Sequence, residues 1–147
     1  MKINQAIKYI FVDYFDTTCF RHIHSSQIYL QWAKVMRAKF PELGIISNDK
    51  LVALRHIAHH KSNKLYKEKP YLDTMSDLYD ILQERIKLMV DRKIFVESSL
   101  NIDVSVEIGC QYGNQKIISM LRKEKAKGKQ IFLVSDFYLP MEAYHDF

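Results

Sequence analysis

The chain has 147 residues, 48% hydrophobic and 27% charged, which is the length and balance of a globular protein and excludes a disordered chain. Only 4 Gly and 3 Pro punctuate it, so collagen-like and low-complexity sequence are excluded, and long helices are favoured over a barrel of many short strands. Lys and Arg outnumber Asp and Glu by 22 to 17, and the resulting charge of +5 favours anionic partners in general without demanding nucleic acid.

In chain order, Ile7–Val12 is a compact run of β-branched and aromatic residues closed by Asp13; its length suits a buried strand. Ile28, Trp32, Val35, Met36 and Phe40 then recur at helical spacing, with Ser25 or Ser26 to cap the helix and Pro41 to stop it. Ser47 or Asn48 opens a second helix carrying Leu51, Leu54, Ala58 and Leu65, which ends before Pro70. Thr74 followed by Asp77 resembles a capping box for a third, with Met75, Leu78, Tyr79, Leu82, Ile86 and Met89 at helical spacing.

Leu100–Ile108 alternates as a strand would, while Leu100, Val104 and Ile108 also share a helix face, so periodicity alone leaves both forms open. Asn114 caps a clear helix through Ile117, Ile118 and Leu121, and Gly128 takes the left-handed position beyond its lysine-rich end. Gln130–Val134 is a second buried-strand run, ending at Ser135, and Pro140 is placed to begin one more helix. The helix–Gly–strand unit is half of a parallel crossover, so the predicted class is α/β.

Asp13 and Ser135 each stand directly after a predicted parallel strand, where open α/β sheets form their ligand crevice. If the strands are neighbours, a carboxylate able to attack phosphorus or carbon meets a hydroxyl able to hold the transferred group. Each residue alone is an ordinary strand-end turn residue; the pairing carries the signal.

The run Phe11-Val-Asp-Tyr-Phe-Asp-Thr-Thr18 resembles the first motif of the haloacid dehalogenase-like (HAD) hydrolases, and Ile131-Phe-Leu-Val-Ser-Asp-Phe-Tyr-Leu-Pro140 resembles their second. Tyr71–Asp80 is similar to part of the helical insert of a bacterial subgroup with comparable motifs. The resemblance implies a partial Rossmann-like core, made of 1–24 and 113–147 with parallel strands at about 7–13 and 130–134. A helical cap over 25–112 would be inserted in it, with Leu100–Ile108 belonging to that cap. Asp13 would be the nucleophile, Thr17 would steady the turn and the bound group, and Ser135 would hydrogen-bond a phosphoryl oxygen. Mg²⁺ would be held by the Asp13 carboxylate and the Phe15 backbone carbonyl. The expected substrate is a small phosphorylated metabolite.

Two departures qualify that expectation. Phosphatases of the superfamily carry an acid/base Asp two positions after the nucleophile, where this chain has Phe15; Asp16 is the candidate substitute. The Lys of the third motif and the acidic metal ligands of the fourth are not found in the sequence after Ser135. The expectation is therefore a hydrolase cut short before those motifs, inactive alone, with an exposed sheet edge open to self-association. The rival expectations are a metal-independent dehalogenase, which Phe15 keeps open, and a non-catalytic interaction module.

The remaining candidates read more plainly. His56 and His60 are spaced to share a helix face and so to hold a metal, but the run His-Ile-Ala-His-His lacks the Glu of a zinc protease and reads as a solvated surface. His22 and His24 follow the first motif on a loop. The basic stretch Arg122–Lys129 has no interleaved aromatics and reads as a solvated helix end. Cys19 and Cys110 are too few for a disulfide framework, no run is long and apolar enough to span a bilayer, and no signal peptide is evident. A cytoplasmic protein that binds neither nucleic acid nor membrane is expected.

Overall fold

The computed structural model describes residues 6–65 and 71–135. Among these residues the chain is mixed α/β, with five α-helices, a parallel pair of strands and a separate antiparallel pair. The described residues fall into two compact units, one formed by 6–22 with 110–135 and the other by 23–109.

In the first unit, β1 (Tyr9–Asp13) and β4 (Gln130–Val134) run parallel, in a register that sets Tyr9 beside Gln130, Phe11 beside Phe132 and Asp13 beside Val134. The first strand starts two residues later than Ile7, although the Gln130 N–H still bonds the Lys8 carbonyl at 2.9 Å. The return between the strands is α5 (Gln115–Ala126), whose N-terminus is capped by the Asn114 side chain accepting from the Ile117 N–H. Gly128, at φ +84°, takes the left-handed turn into β4. Two three-residue strands not legible in the sequence, β2 (Cys19–Arg21) and β3 (Gln111–Gly113), pair antiparallel.

Strands of a parallel sheet are normally covered on both faces. Here Tyr9, Phe11 and Phe132 share one face and are 56%, 68% and 41% exposed. The Phe11 and Phe132 rings stack at 5.1 Å, so each partly covers the other, while their outer faces meet solvent.

The second unit is helical: α1 (Ser25–Lys39), a short 3-10 turn at Pro41–Ile45, α2 (Asn48–Leu65), α3 (Tyr71–Ile86) and most of α4 (Arg92–Cys110). Trp32, Met36, Leu51, Leu54, Met75, Leu78, Leu82 and Phe95 form its core, each at most 1% exposed, and burying such a side chain contributes about 1.5–3 kcal/mol. Several sequence expectations are corrected here. His24, not a serine, caps α1 by accepting from the Ser26 N–H, and Val35 is on the solvent side. Ser47 Oγ accepts from the Lys50 N–H at the start of α2. The third helix starts at Tyr71, so Thr74 is a buried residue of its first turn and not its cap. It stops at Ile86 because Lys87 turns left-handed at φ 51°, which leaves Met89 exposed. Leu100–Ile108 is helical within α4, whose first turn is capped by Asp91 Oδ1 accepting from the Ile94 N–H. The helix expected from Pro140 lies outside the described residues.

Two polar groups inside this unit are answered by each other. Arg55 and Asp103, 4% and 2% exposed, form a two-pronged ion pair with N–O distances of 3.0 and 2.6 Å. The Tyr71 hydroxyl donates to the same carboxylate at 2.5 Å. Removing either partner would leave the other charge buried and unpaired, which is strongly destabilising.

Candidate functional site

Asp13 ends β1 at the carboxyl end of the parallel pair. Ser135 directly follows Val134, the residue in register with Asp13. Asp13 and Ser135 therefore stand at the same end of two adjacent strands, and both are exposed. The register continues one step past the strand, where the Tyr14 N–H bonds the Val134 carbonyl at 3.0 Å.

Beyond Asp13 the chain makes a tight turn. The Tyr14 carbonyl accepts from the Thr18 and Cys19 N–H groups at 3.0 and 2.9 Å, and the Thr18 hydroxyl donates to it at 2.9 Å. Asp16 takes a left-handed φ of 56°, which its short polar side chain tolerates, and its N–H bonds the Cys19 carbonyl at 2.8 Å. This turn brings the Thr17 hydroxyl back to Asp13, donating to Oδ2 at 3.4 Å, a long and weak bond. Phe15 is half-buried under the Arg21 guanidinium, 3.9 Å from its ring centre, and meets the Tyr14 ring edge-on.

The turn is pinned from β3 and the start of α5. Tyr14, fully buried, donates its hydroxyl to Gln111 Oε1 at 2.7 Å, and the buried Cys19 thiol donates to the same oxygen at 3.4 Å. The Asn114 side-chain amide donates to the Thr17 carbonyl at 2.9 Å, and its backbone N–H donates to the Thr18 carbonyl at 2.8 Å. Gln111 was invisible to sequence reasoning, and Asn114 was legible only as a helix cap.

The other candidates have structural uses. His22 stacks on Tyr112 at 4.4 Å, and His24 caps α1. Among the described residues no group of three or more His, Cys, Asp and Glu side chains comes together as a metal cluster, the α2 histidines included. In the basic stretch, the Lys127 ammonium hydrogen-bonds Glu124 at 2.5 Å and the Lys129 ammonium pairs with it at 2.8 Å, and together they hold its carboxyl below the usual range. No helix among the described residues is long and apolar enough to cross a membrane.

The donor set at the β1 end consists of one carboxylate with backbone carbonyls and hydroxyls. These are hard oxygen donors that fit Mg²⁺, an ion commonly held by one or two carboxylates while water and phosphate fill its other positions. The arrangement can present a carboxylate nucleophile with one hydroxyl from the braced turn, Thr17, and one from the end of β4, Ser135. No protein-family model matches the chain, and no curated protein is significantly similar to it.

Proposed function

We propose that the α/β unit is the nucleophile-bearing part of a HAD-like phosphoryl-transfer enzyme acting on a small phosphorylated metabolite, with the helices of 23–109 as its cap. The observation that carries the reading is the register of Asp13 with Val134, which sets Asp13 and Ser135 at one end of the parallel pair. It is supported by the Thr17 hydroxyl at 3.4 Å from the carboxylate and by the hydrogen-bonded turn between them.

In this mechanism an Asp13 carboxylate oxygen attacks phosphorus, the bond from phosphorus to the leaving oxygen breaks, and that oxygen departs with the electron pair. The Thr17 and Ser135 hydroxyls donate to the phosphoryl oxygens as charge builds on them. Mg²⁺, when bound by the Asp13 carboxylate and the Phe15 carbonyl, would offset the repulsion between the carboxylate and the phosphate. Hydrolysis of the acyl phosphate then needs a base to activate water. Phe15 carries none, and Asp16 is the nearest carboxylate along the turn. Release of phosphate is thus the slow half of the reaction, and the isolated chain turns over poorly.

Beryllium trifluoride, which binds carboxylates as a phosphoryl mimic, tests the site without requiring turnover. With Mg²⁺ present, a bound ¹⁹F resonance is expected for the wild type, lost in Asp13→Asn and weakened in Ser135→Ala. A resonance that survives Asp13→Asn would contradict the reading. A signal independent of Mg²⁺ would favour the metal-independent alternative that Phe15 keeps open.

A second reading rests on a different observation. The exposed Tyr9, Phe11 and Phe132 face supports a non-catalytic interaction module that associates through its sheet. Phe11→Lys would abolish that association, and Asp13→Asn would leave it intact.

A further inference from the structure

The helical unit contains a cavity of about 260 Å³ that has no part in the phosphoryl chemistry above. His56 and His59, three apart on α2, face the same side and line it together with Tyr29 of α1 and Thr74 and Met75 of α3. Tyr29 meets the His56 ring edge-on at 5.2 Å. Arg55 completes the wall, its guanidinium carbon 4.7 Å from the Tyr29 ring centre and 4.5 Å from that of Trp32.

Charge, shape and size narrow what the cavity can hold. The Arg55 cation is answered by both oxygens of Asp103. Partial burial, followed by neighbouring positive charge from Arg55 and the adjacent histidines, lowers the proton affinity of the His56 and His59 imidazoles, which keep an exposed edge, and so favours their neutral forms. Among the described residues that line the cavity, a phosphate or carboxylate leaving water would meet no cation but the Asp103-paired Arg55, and burying an unpaired charge costs far more than one hydrogen bond returns. A neutral imidazole offers one N–H donor and one lone-pair acceptor, and the Thr74 hydroxyl can donate or accept. The other surfaces are the Tyr29 and Tyr71 side chains and the Met75 thioether, which favour flat π-systems. The volume lies just below the usual range for small-molecule sites, which suits a single small ring.

We propose that this cavity is a binding site for a small uncharged heteroaromatic ring of nucleobase size, stacked against the Tyr29–His56 wall and hydrogen-bonded at its edge by His56 and Thr74. The site lies wholly within residues 23–109 and stands or falls independently of the Asp13 chemistry.

Trp32 is the only tryptophan in the chain, and it is fully buried beneath Arg55, so its emission reports on the cavity without a label. The full chain is titrated with adenine, uracil and nicotinamide, and with inorganic phosphate as the charged comparator, while Trp32 emission and the imidazole proton resonances are followed. The expected result is saturable binding of at least one ring, with the His56 resonance displaced. His56→Ala and Thr74→Val should each weaken it about tenfold, the loss of one hydrogen bond, with the unfolding transition retained. The proposal is overturned if no ring saturates, if phosphate alone saturates, or if ring binding is unchanged in both variants.

Discussion

Tyr14 turns the chain from an exposed strand end into the interior, and its hydroxyl, 2.7 Å from Gln111 Oε1, fixes where that turn begins. Tyr14→Phe removes a donor to this oxygen stronger than the Cys19 thiol, which remains at 3.4 Å. The loss should therefore lie near the lower end of the range for a buried hydrogen bond, about 1 kcal/mol, read as a lower denaturant midpoint at unchanged slope. A loss of several kcal/mol would mean that the phenol carries more than this bond. Asp13 and Ser135 were legible as candidates because each directly follows a strand-like run, whereas Thr17 was singled out only through the resemblance of its motif. Gln111 was not, because its partner Tyr14 is 97 positions away and a lone glutamine has no period to betray it.

At the scale of elements, two glycines behave oppositely for one reason, the backbone angle each adopts. Gly128 sits at φ +84°, where a Cβ would meet nothing within 4 Å but the backbone itself would be strained. Gly128→Ala should cost about 1–2 kcal/mol. Gly109 lies within α4 with open space around its Cβ position, so Gly109→Ala should stabilise by about 0.5–1 kcal/mol through lower chain entropy and better helix propensity. Thermal melts of the two variants should shift in opposite directions; shifts of the same sign would contradict the assigned backbone. Gly128 and the Asn114 cap were readable because helix ends have local chemistry. The three-residue strands β2 and β3 were too short to show alternation, and their pairing joins Cys19 to Gly113 across the whole helical unit. Leu100–Ile108 was ambiguous because polar Asp103 and Glu107, which are buried in α4, interrupt its apolar face.

Across the whole molecule, charge and cover decide the behaviour. His56 and His59 titrate below the usual imidazole value of about 6.5 because burial disfavours their charged forms. As pH falls, the unfolded chain therefore takes up these protons first. Their contribution to stability is complete above about pH 6.5 and is lost as pH drops through their folded values. Glu124, held low first by Lys127 and then by Lys129, adds a separate loss below the usual carboxylate range. Denaturant midpoints measured from pH 8 to pH 3 should fall in two steps, and His56→Gln with His59→Gln should flatten the upper one while leaving the lower; an unchanged upper step would contradict it. The exposed aromatic face of the parallel pair was foreseeable in part, since two apolar strands are too few for an independently stable sheet. The central claim is that Asp13 is a nucleophile at the end of that sheet. The most direct measurement is mass-spectrometric mapping of the full chain after incubation with acetyl phosphate and Mg²⁺. Acetate needs no proton to depart, so the missing acid/base at Phe15 does not obscure the result. Slow, stoichiometric phosphorylation confined to Asp13 is predicted, absent from Asp13→Asn. An unmodified Asp13, or a label at Asp16 instead, would contradict the account.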